Sequence, residues 1–195
     1  MLRSFSFFRP ALFAIALAGL AIAGDVPRPA PPLDLPTPEG GHISLRDLRG
    51  KVVLLEFFLT ECPHCQRTAG DIGPIYKEMR SRGLEVLAVA INPDAKQRVG
   101  LFRQRFNATY PIGLGTDTLV RQFADISAVR QFFVPYIFIL DRKGIIRHEH
   151  PGTEAEFYTN EAANLRAELD ALLKEPATSR RSAHKSTARK SAPKS

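Results

Sequence analysis

Lys51-Val52-Val53-Leu54-Leu55-Glu56-Phe57-Phe58-Leu59-Thr60-Glu61-Cys62-Pro63-His64-Cys65 is the stretch that decides how this chain is read. Val52 to Leu59 is an apolar run of strand length, interrupted by one acid and bounded by Lys51 and the Glu61-Cys62-Pro63 break. That is the pattern of a buried strand. Cys62 and Cys65, the only two cysteines of the chain, stand three positions apart where a helix would begin. A sulfur at that place sits among free N–H groups at the positive end of the helix dipole. A thiolate there is stabilised relative to the thiol, so its pKa falls and it becomes a nucleophile at neutral pH. The second sulfur, one turn on, is close enough to close a short disulfide ring. Pro63 fits the first helical turn, where its missing N–H costs nothing. His64 is expected to place positive charge beside the thiolates, which favours the reduced form and makes the disulfide a stronger oxidant. A structural disulfide across so short a loop would gain little. A structural zinc site would need two further soft ligands, and no second cysteine pair exists. The residues point to dithiol–disulfide chemistry that needs no cofactor and no bound metal.

Around this core the composition changes three times. Residues 1–23 hold Arg3 and Arg9, no acid, and then the almost wholly apolar Ala11 to Ala23, with Ala21-Ile22-Ala23 at its end. This is the pattern of a secretory signal peptide. The apolar part is short for a transmembrane helix, which needs about 20 residues; an uncleaved N-terminal membrane anchor is the alternative expectation. Export would carry the cysteine pair into an oxidising compartment, periplasmic or otherwise extracytoplasmic. Residues 24–38 contain Pro27, Pro29, Pro31, Pro32, Pro36 and Pro38 and are expected to form an extended spacer. Residues 39–175 are the candidate globular domain, long enough to bury one core.

Residues 176–195 form a tail of low complexity with Arg180, Arg181, Lys185, Arg189, Lys190 and Lys194 and no acid. The formal net charge is +7, but these six bases and the two near the start account for more than all of it. Residues 24–175 hold one more acid than base, so the domain lacks the basic surface of a nucleic-acid reader. The tail is expected to be a disordered, solubilising end that contacts anionic envelope surfaces.

Further along, a helix is expected from Cys62 to about Ser81, bent near Pro74 and stopped at Gly83. Leu84 to Ile91 reads as a second buried strand, Val99 to Phe106 as a helix, Tyr110 to Leu114 as a short strand and Thr118 to Phe123 as a short helix. Tyr136 to Leu140 and Ile145 to His150 read as a hairpin about the Asp141-Arg142-Lys143-Gly144 turn. Ala155 to Leu173 is an amphipathic helix with Ala162, Leu165, Leu169, Leu172 and Leu173 on one side. The order is β-α-β-α-β-α-β-β-α, with the early strands parallel through right-handed crossovers. The expected class is α/β, a central mixed sheet flanked by helices.

Leu48-Arg49-Gly50-Lys51-Val52-Val53-Leu54-Leu55-Glu56-Phe57-Phe58, the Cys62–Cys65 pair, Val134-Pro135 and Ile139-Leu140-Asp141-Arg142-Lys143-Gly144-Ile145-Ile146 together resemble the thioredoxin-like superfamily. Their order and spacing point to its exported TlpA/ResA-type branch, near the redoxin group, over residues 34–173. The resemblance implies a thioredoxin-like fold and several roles. Cys62 would be the exposed attacking thiolate and Cys65 the buried resolving thiol. Pro135 would be a cis proline that brings the Val134 backbone beside the sulfurs to pair with an extended substrate, whereas on its own it reads as a strand-start proline. Glu56 would be a buried acid that relays a proton to the resolving cysteine; the alternative is a solvated, outward-pointing side chain. Glu61 stands where the superfamily usually has tryptophan. An acid there should repel the thiolate, oppose His64 and favour clients with a basic rim. Pro63-His64 and Val134 match strongly oxidising DsbA-type sites, although the helical insertion of those enzymes is missing.

The leading expectation is a thiol–disulfide oxidoreductase of the cell envelope that acts on protein thiols and disulfides with a membrane or periplasmic redox partner. The alternative is a copper-handling, metal-site assembly protein on the same fold. That would need a histidine beside the cysteine pair, and His148 and His150 on the late strand read as solvated surface groups. A thiol peroxidase is disfavoured, since Leu59-Thr60-Glu61-Cys62 lacks the proline and threonine that peroxiredoxins place before their reactive cysteine.

Overall fold

The structure is a computed structural model that describes residues 25–176. The expected signal peptide and, apart from Pro176, the expected basic tail lie outside the described residues. Val52–Phe58 (β4) is buried at every position, so it has no solvated face. Its side chains alternate between two cores. Val52, Leu54 and Phe58 pack with helices Pro63–Met79 (α1), Ala95–Phe106 (α2) and Glu161–Lys174 (α5). Val53, Leu55 and Phe57 pack on the other side, with helix Asp117–Ala124 (α3).

Leu84–Ala90 (β5) and Ile112–Leu114 (β6) extend the sheet from β4 as parallel neighbours; Tyr136–Leu140 (β7) and Ile145–His150 (β8) extend it antiparallel on the other side. The six-stranded order ends with Arg28–Pro29 (β1) beside β8, giving β1-β8-β7-β4-β5-β6. Asp34–Pro36 (β2) and His42–Ser44 (β3) form a separate antiparallel pair. The mixed sheet between helical layers is the expected thioredoxin-like α/β arrangement. At the β7–β8 turn the Asp141 carboxylate accepts from the Lys143 and Ile145 N–H groups at 2.8 and 3.0 Å.

Several details differ from the sequence reading. The proline-rich stretch is not a detached spacer. Leu33 and Leu35 are 3% and 1% exposed, and β1 uses the sheet edge, where a proline lacking its N–H is tolerated. The folded unit therefore begins before residue 39. Helix α2 starts at Ala95, not Val99, because Ala95 is itself buried. The expected last helix is two: Ala155–Thr159 (α4) and α5, separated at Asn160 (φ −127°, ψ 41°). Helix α1 runs unbroken through Pro74 and gives way to a tight turn, Arg80–Arg82, closed by Gly83 at φ 102°.

Gly113 on β6 has no room for a side chain, since a Cβ there would come within 2.8 Å of Leu35 Cβ. The N-terminal segment is thus wedged against the sheet. Leu35→Ala should lower the unfolding free energy by about 2–5 kcal/mol, as deletion of a buried leucine does. Urea denaturation measures this, and a loss below about 0.5 kcal/mol, the range of surface substitutions, would make residues 34–36 a loose appendage.

Candidate active site

Cys62 is the N-cap residue of α1 and Pro63 its first helical residue. Four short contacts fix the approach. The Cys62 N–H donates to Leu59 O at 3.2 Å, and Gln66 N–H to Cys62 O at 3.0 Å. Gln66 Nε2 donates to Thr60 O at 3.0 Å, and Thr60 N–H to Asn92 Oδ1 at 3.2 Å. The sulfur is therefore delivered by a strand buried at every position and a helix that starts at once.

Both cysteines are free thiols; Cys62 is half-buried and Cys65 fully buried. The Cys65 N–H points at Cys62 Sγ from 3.4 Å. The Cys62 pKa is lowered to about 6. The Cys65 thiol hydrogen-bonded to it is the main cause, partial burial works the other way, and the Cys65 and His64 N–H groups and Arg67 add to the lowering. Cys65 moves in the opposite direction. Its hydrogen bond to Cys62, its burial and the nearby Glu56 all hold its proton on. One sulfur is a half-buried thiolate at neutral pH and the other a sealed thiol.

His64 and Glu61 behave differently from the sequence reading. The His64 pKa is lowered by burial and by Arg67, so its imidazole is neutral at pH 7. It packs edge-on against Tyr158, with ring centroids 4.5 Å apart. Its help to Cys62 comes through its backbone N–H. Glu61 is held by Arg98 at 2.6 Å, and that pairing offsets the repulsion expected of an acid beside the nucleophile.

The Val134–Pro135 peptide bond is cis. Val134 O lies 3.9 Å from Cys62 Sγ, so this loop borders the nucleophile. Tyr158 pins it from behind, its hydroxyl 2.8 Å from Pro135 O and 3.0 Å from His150 O. Gly152 backs Phe133, where a Cβ would meet Phe133 backbone atoms at 2.9 Å. Phe133 itself is 47% exposed.

Glu56 is 1% exposed, and one carboxyl oxygen has no hydrogen-bond partner among the described residues. Burial, then Glu161, then Cys62 raise its pKa well above the usual carboxylate range. The structure brings Cys62, Cys65, Glu56 and the Val134–Pro135 loop to one place, with Pro63, His64 and Glu61 on its rim.

Sequence reasoning missed Glu161. It is 6% exposed at the start of α5, with a buried carboxyl oxygen that has no hydrogen-bond partner among the described residues. Burial and Asp71 push its pKa up to about 7, while the adjacent Thr68 hydroxyl and Arg67 pull the other way. A cavity of roughly 390 Å³, lined by His64, Arg67, Asp71, Tyr158 and Glu161, connects it to solvent. The signal was present: Glu161 occupies the apolar helical stripe with Leu165, Leu169 and Leu172, as Glu56 occupies an apolar strand.

The AhpC/TSA family profile matches residues 26–149. The thiol–disulfide oxidoreductase ResA of Bacillus subtilis is 30% identical over 136 residues, covering 70% of this chain and 73% of that protein. ResA of Geobacillus thermodenitrificans is 32% identical over 124 residues, 64% of this chain and 68% of that protein. The crystal structure of a thiol:disulfide interchange protein of the thioredoxin family from Chlorobium tepidum superposes with a TM-score of 0.64 at 25% identity, over 75% of this chain and 97% of that one.

If the Cys65 thiol is the main support of the Cys62 anion, Cys65→Ala should move the Cys62 titration up toward the ordinary thiol range. The pH profile of the iodoacetamide reaction rate reads this out. An unmoved midpoint would assign the effect to the helix alone.

Proposed function

The chain belongs to the AhpC/TSA family and is a thiol–disulfide oxidoreductase of the ResA type, and from that premise we propose that it works in the cell envelope through a mixed disulfide on Cys62. The observation that carries the proposal is the asymmetry of the pair, a thiolate at the helix mouth beside a buried, protonated partner. In the reducing direction Cys62 Sγ⁻ attacks one sulfur of a client disulfide and expels the other as a thiolate. Cys65 then gives up its proton and attacks Cys62 Sγ. The client leaves as a dithiol and the protein becomes the Cys62–Cys65 disulfide, which a redox partner must reduce again. The oxidising direction reverses each step. Stabilisation of the Cys62 thiolate favours the reduced form and so raises the potential of the couple.

Glu56 is the group placed to take the Cys65 proton, since it is the nearby acid whose charge opposes Cys65 ionisation. Glu161 tunes it: when ionised it holds the proton on Glu56. Val134, beside the nucleophile, offers its backbone to an extended client segment. Phe133 gives the rim an apolar contact, and Glu61, already paired with Arg98, sets its charge. The basic, then apolar, then small-residue pattern of residues 1–23 supports export, and the client class follows as protein thiols and disulfides of the envelope.

Cys62→Ser should abolish insulin reduction, and Cys65→Ser should accumulate mixed disulfides that disappear on reduction; activity indifferent to both changes would remove the mechanism. The two carboxylates make predictions of opposite sign. Glu56→Gln removes the proton acceptor, so the resolution step should shift to more alkaline pH. Glu161→Gln removes a negative charge that raises the Glu56 pKa, so the same step should shift to more acid pH. Single-turnover kinetics across pH 5–9 separates them, and parallel shifts would contradict the assignment.

A further inference from the structure

A second cluster of ligating side chains lies where β8 meets α5. His148 and His150 alternate along β8 and therefore share one face of the sheet, opposite Ile139 and Ile137 of β7. From sequence both are expected to be solvated surface groups, yet His150 is only 6% exposed. Glu168 of α5 reaches both rings. One carboxylate oxygen is 2.9 Å from His150 Nε2 and the other 3.5 Å from His148 Nδ1. The ligand atoms of the three residues all lie within 4.8 Å of one another. The other nitrogen of His150, Nδ1, is 2.8 Å from Glu154 Oε2. Phe157 stacks on the ring at 3.6 Å between centroids, with the planes 9° apart.

We propose that His148, His150 and Glu168 form a cysteine-independent site for a divalent cation of the zinc type, with Glu154 fixing the orientation of His150. Glu154 takes the Nδ1–H of His150, which leaves the Nε2 lone pair facing a carboxylate oxygen at 2.9 Å. Two electron-pair donors that close, with the ring buried, require a cation between them, and the place is filled by either a proton or a metal ion. Ligand atoms on a tetrahedral zinc, with bonds of about 2.0–2.1 Å, stand about 3.3 Å apart. The 2.9 Å between His150 Nε2 and Glu168 Oε2 lies near that value, and the three ligand atoms all lie within 4.8 Å of one another. Two imidazoles and one carboxylate are the donor set of a zinc centre with an open fourth position. A ligating histidine whose second N–H goes to a carboxylate is the usual outer-shell arrangement of such centres, and Glu154 supplies it. Phe157 locks the ring without offering a competing polar atom. The site takes no ligand from the cysteine pair. It lies near the catalytic loop, because Tyr158 bridges His150 O and Pro135 O.

The test uses the purified protein with Cys62 and Cys65 joined as a disulfide, so that neither thiol can bind metal. Calorimetric titration with Zn²⁺ should give one ion per chain. Co²⁺ should give the absorption of a tetrahedral or five-coordinate ion without sulfur-to-metal charge transfer. His148→Ala and Glu168→Gln should each weaken Zn²⁺ at least tenfold, and Glu154→Gln should do so by about 10–100-fold, the usual effect of losing an outer-shell partner. Zn²⁺ should also raise the melting temperature of the parent protein and leave that of His148→Ala unmoved. The His148 side chain is 35% exposed, so its removal empties no core, and it decides the matter should Glu168→Gln fail to fold. Undetectable Zn²⁺ binding by the parent protein, or equal affinity in His148→Ala, overturns the proposal.

Discussion

The hydrogen bonding around one sulfur organises this molecule. Cys62 Sγ receives the Cys65 thiol and the backbone N–H groups at the start of α1, and these contacts favour its anion. They exist because β4 is buried on both faces and ends one short turn before the helix. A strand with a solvated face could shift in register; this one cannot without moving two cores. The rigidity of the sheet is thereby converted into the position of a nucleophile. The same contacts hold the proton on the buried Cys65, as the proposed mixed-disulfide cycle requires.

The surroundings of the pair divide the remaining work by burial. Groups on the rim are neutral or neutralised: His64 is uncharged beside Tyr158, and Glu61 is paired with Arg98. Groups beneath the pair are acids that have lost their water. Glu161 raises the cost of ionising Glu56, and a cavity leads outward from Glu161. In the proposed cycle the proton that moves in each half would be handled from below, and client recognition would fall to the cis-proline loop above. Tyr158 joins these layers by touching His64, Pro135 O and His150 O.

Much of this was legible in the residues because it follows from period and spacing. The continuous apolar run gave β4, the three-residue cysteine spacing gave the helix mouth, and Asp141 to Gly144 gave the hairpin. The AhpC/TSA relationship agrees with the likeness those pieces carry. What stayed hidden depends on contacts between distant segments. Prolines dominated the reading of residues 24–38, and the alternating Leu33 and Leu35 that dock the segment were outweighed. The break at Asn160 has no glycine or proline to announce it. The charge of His64 could be read only in part from its neighbours in sequence, because Arg67 is close by but Tyr158, which packs against the ring, lies far along the chain. Glu161 could have been found by the rule that singled out Glu56, an acid standing where the period demands an apolar side chain.

The decisive property is the ionisation of Cys62 in the unmodified, fully reduced protein, followed by the ultraviolet absorbance of thiolate as pH is raised. The structure requires one thiolate to appear with a midpoint of about 6 and the second sulfur to remain protonated well above the ordinary thiol range. Two thiols titrating together in that ordinary range would contradict it, for the sulfur would then have no stabilised anion to offer a client.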